Sequence, residues 1–364
     1  MIEISVCMIV RNEEHSLPRC LSSVGSLADE LILVDTGSTD RTKEIAASFG
    51  AVLYDFNWIA DFAAARNFAF SKATKEYIFW LDADDYLAEE DQERFRLLKQ
   101  SLPGDVNSVN MQYNLAFDGD GRVVTSLRRN RLVRRSCGFR WIGPVHEYLE
   151  VCGPSLSSDV CVTHHKDKEY TDRNLRIYRK RAEAGEHFSP RDQYYYANEL
   201  RDHGLLAEAC AYYEQFLGGG QGWIEDNIQA CLRLAECRET LGDQEAAFAA
   251  FTRTLQYDAP RAEFCCRMGA WLVEKGLFHP AVYWYELALK LSAPNDSMGM
   301  KNEAFSTWIP NLQLALCYDR LGEHVRANLY NETALLQQPG HPSMLYNRTY
   351  FQKLLGSKYV SLQP

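Results

Sequence analysis

Tyr77-Ile78-Phe79-Trp80-Leu81-Asp82-Ala83-Asp84-Asp85 decides how this chain is read: an apolar run stops abruptly at three carboxylates. A short aromatic and β-branched run bounded by polar residues predicts a buried strand. Side chains alternate along a strand, so Asp82 and Asp84 are expected to leave its end on the same side, a few ångströms apart. Two like charges that close repel unless a cation, a proton or a basic neighbour lies between them. Hard oxygen donors at such a strand end suit Mg²⁺ or Mn²⁺, which keep waters and share the phosphates of a substrate. An Asp-x-Asp by itself is a common surface turn. Its position after a buried strand is what favours a ligand role.

Upstream of this run, strand-like and helix-like stretches alternate. Ile2 to Val10 predicts a strand, and a helix follows from about Ser16 to Ser23. Glu30 to Val34 forms a second strand, ending in Asp35-Thr36-Gly37-Ser38-Thr39-Asp40. A helix opens near Thr42 with Asp40 as its cap, Gly50 stops it, and Ala51 to Asp55 is a third strand. Asp61 caps the helix Phe62 to Ala73, which leads into the Tyr77 run. This alternation predicts an α/β fold with a largely parallel sheet, in which ligands sit beyond the carboxyl ends of the strands. Asp35, Asp82 and Asp84 all occupy such positions. From about Asn107 the pattern turns to strands, with Asp118-Gly119-Asp120-Gly121 as a hairpin turn and Val160 to Thr163 as a late strand.

The 364 residues exceed one usual domain, with 46% hydrophobic and 24% charged residues, an ordinary globular balance. A net charge of −10 speaks against nucleic acid as a partner. The part before residue 166 carries about −7 and the remainder about −3, so neither half is basic. Met1 to Val10 lacks the basic leader of a signal peptide, and no apolar run is long enough for a membrane span. Eleven scattered cysteines without a C-x-x-C pair read as buried thiols in a reducing cytoplasm.

The second half repeats. Gly204, Gly242, Gly276 and Gly322 each end a helix, at intervals of 38, 34 and 46 residues. Five residues after each comes Ala209, Ala247, Ala281 or Ala327; four further on stand Tyr213, Phe251, Tyr285 and, as a departure, Asn331. A spacing of 34 is the period of tetratricopeptide repeats. Glycine frees the interhelical turn, the alanine lets paired helices approach, and the aromatic fills the space between pairs. The extra length near Ser292 to Phe305 reads as an inserted loop. The expected domains are 1–165, a helical linker at 166–188, a repeat domain at 189–346 and a tail at 347–364.

No G-x-G-x-x-G follows the first strand and no G-x-x-x-x-G-K-[ST] occurs, so phosphates must be held by another device. Three blocks then resemble the successive signatures of glycosyltransferase family 2: Ser5-Val6-Cys7-Met8-Ile9-Val10-Arg11-Asn12-Glu13-Glu14, Leu33 to Thr42, and Leu81 to Asp85. The resemblance implies a GT-A fold over about residues 1–165. The union with repeats is similar to bacterial peptide glycosyltransferases, including S- and O-glycosyltransferases that modify bacteriocins.

The resemblance assigns expected roles. Asp35 contacts the uracil and ribose region of the nucleotide, although an Asp before Thr-Gly also forms turns. Asp84 is a ligand to Mn²⁺ or Mg²⁺, with Asp82 and Ala83 at the nucleotide sugar. Arg66 and Asn67 match an Ala-Arg-Asn element near the nucleotide; Arg66 equally suits a helix salt bridge. Inverting transfer needs a carboxylate base. Glu147, in the Val145-His146-Glu147-Tyr148 segment between Gly-Pro breaks, and Asp85 are the candidates, because the family's Glu-Asp pair is absent here. Glu147's bland alternative is an ion pair with the arginines upstream. His164, ahead of His165, is expected to complete the metal site. The Arg128, Arg129, Arg131, Arg134, Arg135 cluster faces either a pyrophosphate or acidic neighbours.

The expected activity is metal-dependent, inverting transfer of a hexose from a nucleotide sugar, UDP-linked, to a peptide or protein held by the repeats. Repeat arrays build concave grooves suited to extended peptides. A homodimer is a second possible use of the helical half. Two alternatives stand beside this reading: transfer to a cell-surface glycan or lipid-linked acceptor, and a non-catalytic repeat adaptor.

Overall fold

Strand β1 (Ile4–Val10) is the axis of the first half, pairing in parallel with β2 (Glu30–Asp35) on one side and β4 (Tyr77–Trp80) on the other. The computed structural model describes residues 1–117, 119, 121, 123–165, 171–291 and 301–362. They fall into two compact units that divide along the chain between Glu199 and Leu200. Strands β3 (Val52–Asp55), β5 (Asp85–Tyr86), β6 (Ser108–Phe117), β7 (Val123–Arg134) and β10 (Ser155–His164) complete the main sheet of the first unit. Their order is β3-β2-β1-β4-β7-β6-β10-β5. A separate two-stranded ribbon joins β8 (Arg140–Ile142) to β9 (Tyr148–Glu150).

The side-chain alternation along β4 shows why this run is apolar throughout. Tyr77 and Phe79 enter one core with Val6, Met8, Leu21 and Phe95. Ile78 and Trp80 enter the core on the other face with Cys7, Ile32, Ala69 and Trp141. Both faces are covered, so the strand cannot alternate polar with apolar residues. Helices α1 (Leu17–Val24), α2 (Thr42–Ser48), α3 (Phe62–Lys72) and α4 (Glu89–Ser101) connect the strands. The expected cap at Asp61 is present, its side chain accepting from Ala64 N at 2.9 Å. Asp40 works differently: it accepts from Thr42 N and Oγ1 and from Glu14 N, tying two loops together rather than capping α2. The expected α/β GT-A architecture with a following helical domain is therefore the one observed, with β6 and β7 as the antiparallel extension.

One irregularity matters for the site. Val109 pairs with Leu132 and Asn110 with Asn130, leaving Arg131 as the extra residue of a β-bulge. The bulge frees Arg131 to turn its long side chain inward.

The first unit continues through α5 (Arg173–Glu183) into α6 (Pro190–Asp202). The second unit is helical. Its helices are α7 (Leu206–Gly219), α8 (Ile224–Thr240), α9 (Gln244–Thr252), α10 (Ala262–Glu274), α11 (Phe278–Lys290), α12 (Trp308–Arg320), α13 (His324–Gln337) and α14 (Pro342–Leu355). Gly242 and Gly276 turn the chain between paired helices at φ +85° and +73°, where a Cβ would be strained. Ala209, Ala247, Ala281 and Ala327 are buried, as are Tyr213, Phe251 and Tyr285. Asn331, the departure from the aromatic pattern, is buried too, and its Nδ2 donates to Met344 O at 3.0 Å. A polar side chain tolerates that place because it finds a carbonyl.

Within the segment expected as a tail, α14 runs on to Leu355. Buried Glu332 accepts from Arg348 Nε at 2.9 Å and Nη2 at 2.7 Å, and from Tyr359 OH at 3.1 Å. Residues 118 and 120 of the expected hairpin turn, 166–170 of the linker and 292–300 of the inserted loop lie outside the described residues.

Gly269 of α10 shows how closely the repeats pack: a Cβ there would meet the Tyr285 ring at 2.6 Å. Tyr285 is fully buried and cannot swing away. Gly269→Ala is expected to destabilise the helical unit by about 1–3 kcal/mol through overpacking. Denaturant unfolding of the variant checks this; unchanged stability would contradict the packing described.

Candidate functional site

The carboxylates do not continue β4. The strand ends at Trp80, and Asp85 N donates to Asp82 O at 3.0 Å, so Asp82 to Asp85 form a tight turn. Strand alternation no longer governs the side chains there. Asp82 and Asp84, expected on one side, meet different partners: Arg66 for Asp82 and His164 for Asp84. After the turn, β5 pairs antiparallel with β10, setting His164 opposite Asp85. His165 N donates to Asp84 O at 2.9 Å and ties the same two segments.

Asp85 is the pin of this turn. Its Oδ2 receives Arg131 Nη1 at 2.9 Å and Asp82 N at 3.1 Å, and its Oδ1 receives Tyr113 OH at 2.8 Å. Asp85 and Arg131 are both 0% exposed. The Arg131 guanidinium lies between two rings, with Cζ 4.0 Å from the Trp80 centroid and 4.3 Å from that of Tyr113. A carboxylate with no open surface cannot meet an incoming acceptor, so this placement departs from the expectation that Asp85 is a candidate base. Burial also pushes the Tyr113 hydroxyl far up, with Asp85 adding to the shift. Tyr113 therefore donates as a neutral phenol.

Asp84, Asp85 and His164 place one donor atom each within 4.8 Å of one another. His164 Nδ1 is buried without a hydrogen-bond partner, 3.6 Å from Asp84 Oδ1 and 3.7 Å from Asp85 Oδ1. Those separations are too long for hydrogen bonds. One imidazole nitrogen clustered with two carboxylate oxygens is a donor set that fits Mn²⁺ or Mg²⁺. The carboxylates of Asp84 and then Asp85 push the His164 pKa up to about 10, against burial. A proton on the imidazole and a cation between the groups are thus alternative ways to neutralise the site.

Arg66 is the second organiser. From α3 its Nη2 reaches Asp82 Oδ1 at 2.6 Å and its Nε reaches Glu147 Oε1 at 2.5 Å. Cζ lies 4.8 Å from the Trp141 ring and 5.2 Å from Trp80. Burial alone would raise the Asp82 carboxyl, but Arg66 and Arg131 outweigh it and hold the group down at about 2. Glu147 does form an ion pair, yet with Arg66, 81 residues before it, rather than with the arginines just upstream. Neighbouring Asn67 uses both ends of its amide on Trp141: Nδ2 donates to its carbonyl and Oδ1 accepts from its N–H, each at 2.9 Å. That pair of hydrogen bonds fixes the β8 ribbon beside α3. Ala83 is buried between the two turn aspartates.

Asp35 ends β2 in line with Val10, on the same sheet edge. Its carboxylate is 1% exposed and accepts from Gly37 N and Ser38 N, both at 3.0 Å, with Lys43 Nζ at 3.5 Å. The turn-forming reading of Asp35 is therefore fulfilled locally. Asn12, at φ +54°, accepts from Thr39 N at 2.8 Å, and its own N donates to Ser38 Oγ at 2.9 Å. The loops after β1 and β2 form one hydrogen-bonded rim.

His146 turns at φ +50°, stacks on Tyr195 at 4.3 Å and places Nε2 2.7 Å from buried Glu199 Oε1. Nothing local in the sequence joins residues 53 positions apart, so this dyad was missed. Of the arginine cluster, Arg128 binds Asn110 and Ser158 carbonyls and Arg134 binds Tyr77 OH, Val106 O and Glu76. Only Arg131 is drawn fully into the site.

Removing one member of the buried pair strands the other charge, which costs about 3–5 kcal/mol. Asp85→Ala is expected to lose that much in urea unfolding, and Asp85→Leu combined with Arg131→Met less than either single change. Loss below about 1 kcal/mol for Asp85→Ala would contradict the pairing.

The family model for glycosyl transferase family 2 matches residues 5–141. A TPR repeat-containing protein of Synechococcus elongatus is 39% identical over 155 residues, covering 41% of this chain and 36% of its own length. The SPbeta prophage-derived glycosyltransferase SunS of Bacillus subtilis is 36% identical over 143 residues, covering 38% and 33%. The chain thus spans about a third of the length of these curated relatives. Among solved structures, residues 1–349 of S. aureus TarS, in complex with UDP-GlcNAc, are 14% identical, with 70% of this chain and 92% of that one covered. The TM-score of 0.39 is too low to carry an argument about chemistry. No helix among the described residues is long and apolar enough to cross a membrane. Residues 5–141 are thus similar to glycosyl transferase family 2, and part of the chain is similar to a TPR repeat-containing protein.

Proposed function

We propose that this chain is a metal-dependent, inverting glycosyltransferase that moves a hexose from a UDP-sugar to a peptide or protein. The observation that carries the reading is the buried, unpartnered Nδ1 of His164 aimed at Asp84 beyond the strand ends. Asp84 and His164 would hold Mn²⁺ or Mg²⁺, with Asp85 anchoring the turn behind them. Bound there, the cation neutralises charge on the departing diphosphate.

The remaining groups have separable tasks. Asp82, Ala83 and the Asp35 rim face the nucleotide sugar, with small Ala83 giving backbone access between the two aspartates. Arg66 keeps Asp82 ionised and holds Glu147 by one oxygen. Glu147 Oε2 has no hydrogen bond among the described residues and is left to take the acceptor's proton. Asn67 positions Trp141, the ring under Arg66. The repeats supply the kind of surface that binds extended polypeptide. The acidic balance suits a protein rather than a nucleic-acid partner. Eleven free thiols fit a reducing cytoplasm.

A screen of UDP-hexoses with Mn²⁺, read as UDP release and as mass gain on candidate peptides, tests the proposal. Turnover is expected to vanish with EDTA and to fall about 100-fold or more in Asp84→Ala. Glu147→Gln is expected to lose about 10²–10⁴ in kcat with little change in donor KM. Full turnover in Asp84→Ala overturns the metal assignment, full turnover in Glu147→Gln the base, and unmodified peptides beside released UDP the acceptor class.

A further inference from the structure

Arg129 and Arg131 stand two residues apart on β7 and share the same two rings. Arg131 Cζ lies 4.0 and 4.3 Å from the centroids of Trp80 and Tyr113, and Arg129 Cζ lies 6.0 and 5.4 Å from them. Both guanidiniums are therefore on one side of the strand, above the residue that leads into the aspartate turn. Their electrostatic situations differ completely. Arg131 is fully buried and neutralised by Asp85. Arg129 is half-buried, and its guanidinium makes no ion pair or hydrogen bond among the described residues.

The neighbouring charges are already matched. Asp82 and Glu147 share Arg66, Asp85 has Arg131, and Asp84 faces His164. Arg129 is close enough to help hold the Asp82 carboxyl down, yet it makes no contact with it. A half-exposed guanidinium without an ion pair is open to an anionic ligand. Its planar fork matches phosphate oxygens two at a time.

We propose that Arg129 binds the donor's diphosphate and stabilises it as it departs, an inference that rests on the nucleotide-sugar reading above. In the transfer, the bond from the sugar's anomeric carbon to the β-phosphate oxygen breaks and its electron pair stays on the diphosphate. The acceptor atom bonds to that carbon and its proton passes to Glu147. Negative charge on the diphosphate grows along this path, so a fixed cation binds the transition state more strongly than the donor. Trp80 and Tyr113 hold the Arg129 head without neutralising it, which keeps its charge available to the ligand.

The test compares wild type, Arg129→Met and Arg129→Lys by calorimetric titration with UDP and with uridine in Mn²⁺, and by steady-state UDP release. Arg129→Met is expected to weaken UDP about tenfold while leaving uridine unchanged, and to lower kcat more than it raises donor KM. Arg129→Lys should restore part of both, since it returns charge without the fork. A merely structural role would weaken UDP and uridine together, and that result overturns the proposal. Equal UDP affinity and kcat in wild type and Arg129→Met also overturns it while leaving the donor reading intact. A wild-type protein that fails to bind UDP overturns both.

Discussion

The ion pair between Asp85 and Arg131 is the constraint on which the first unit turns. Two opposite charges with no exposed surface can persist only if each is also hydrogen-bonded or stacked. Asp85 meets that condition through Tyr113 and the Asp82 backbone, and Arg131 through Trp80 and Tyr113. The pair joins the start of β5 to β7, and β5 in turn pairs with β10. Strands β4 and β5, adjacent in sequence, are thereby locked to the distant β7 and β10 around one turn. That rigidity is what lets Asp84 and His164 face each other without touching.

A second charge network stands beside the first. Arg66 draws together a helix, the turn and the β8–β9 ribbon by holding Asp82 and Glu147 at once. Its cost of burial is offset by two carboxylates and by the Trp80 and Trp141 rings. Trp80 thus serves three arginines, being the one aromatic among the described residues in reach of Arg66, Arg129 and Arg131. Strand β4 ends on the residue that organises these cations.

Much of this was legible in the sequence, and the limits have physical causes. Local patterns carried well: the strand-helix alternation, the Asp61 cap and the Gly-Ala-aromatic register of the repeats all depend on neighbours a few residues apart. The Asp35 turn was also readable, because Asp-Thr-Gly-Ser forms its hydrogen bonds within the motif. Pairings across the sheet were not. Glu147 finds Arg66 rather than the nearer arginines, and His146 finds Glu199, because tertiary packing chose partners that spacing cannot reveal. Strand alternation does not govern Asp82 and Asp84, because β4 stops at Trp80, one residue earlier than the apolar run suggests. Arg131 could not be singled out among its neighbours, since a β-bulge, invisible in the sequence, turns it inward.

The central claim is that the aspartate turn, held by its buried ion pair, presents Asp84 and His164 to a divalent cation. Anomalous diffraction at the manganese edge, from crystals grown with Mn²⁺ and UDP, tests it most directly. The account predicts a single strong peak bridging the Asp84 carboxylate and His164 Nδ1. A peak at any other place in the first unit, with none between those two side chains, would contradict it.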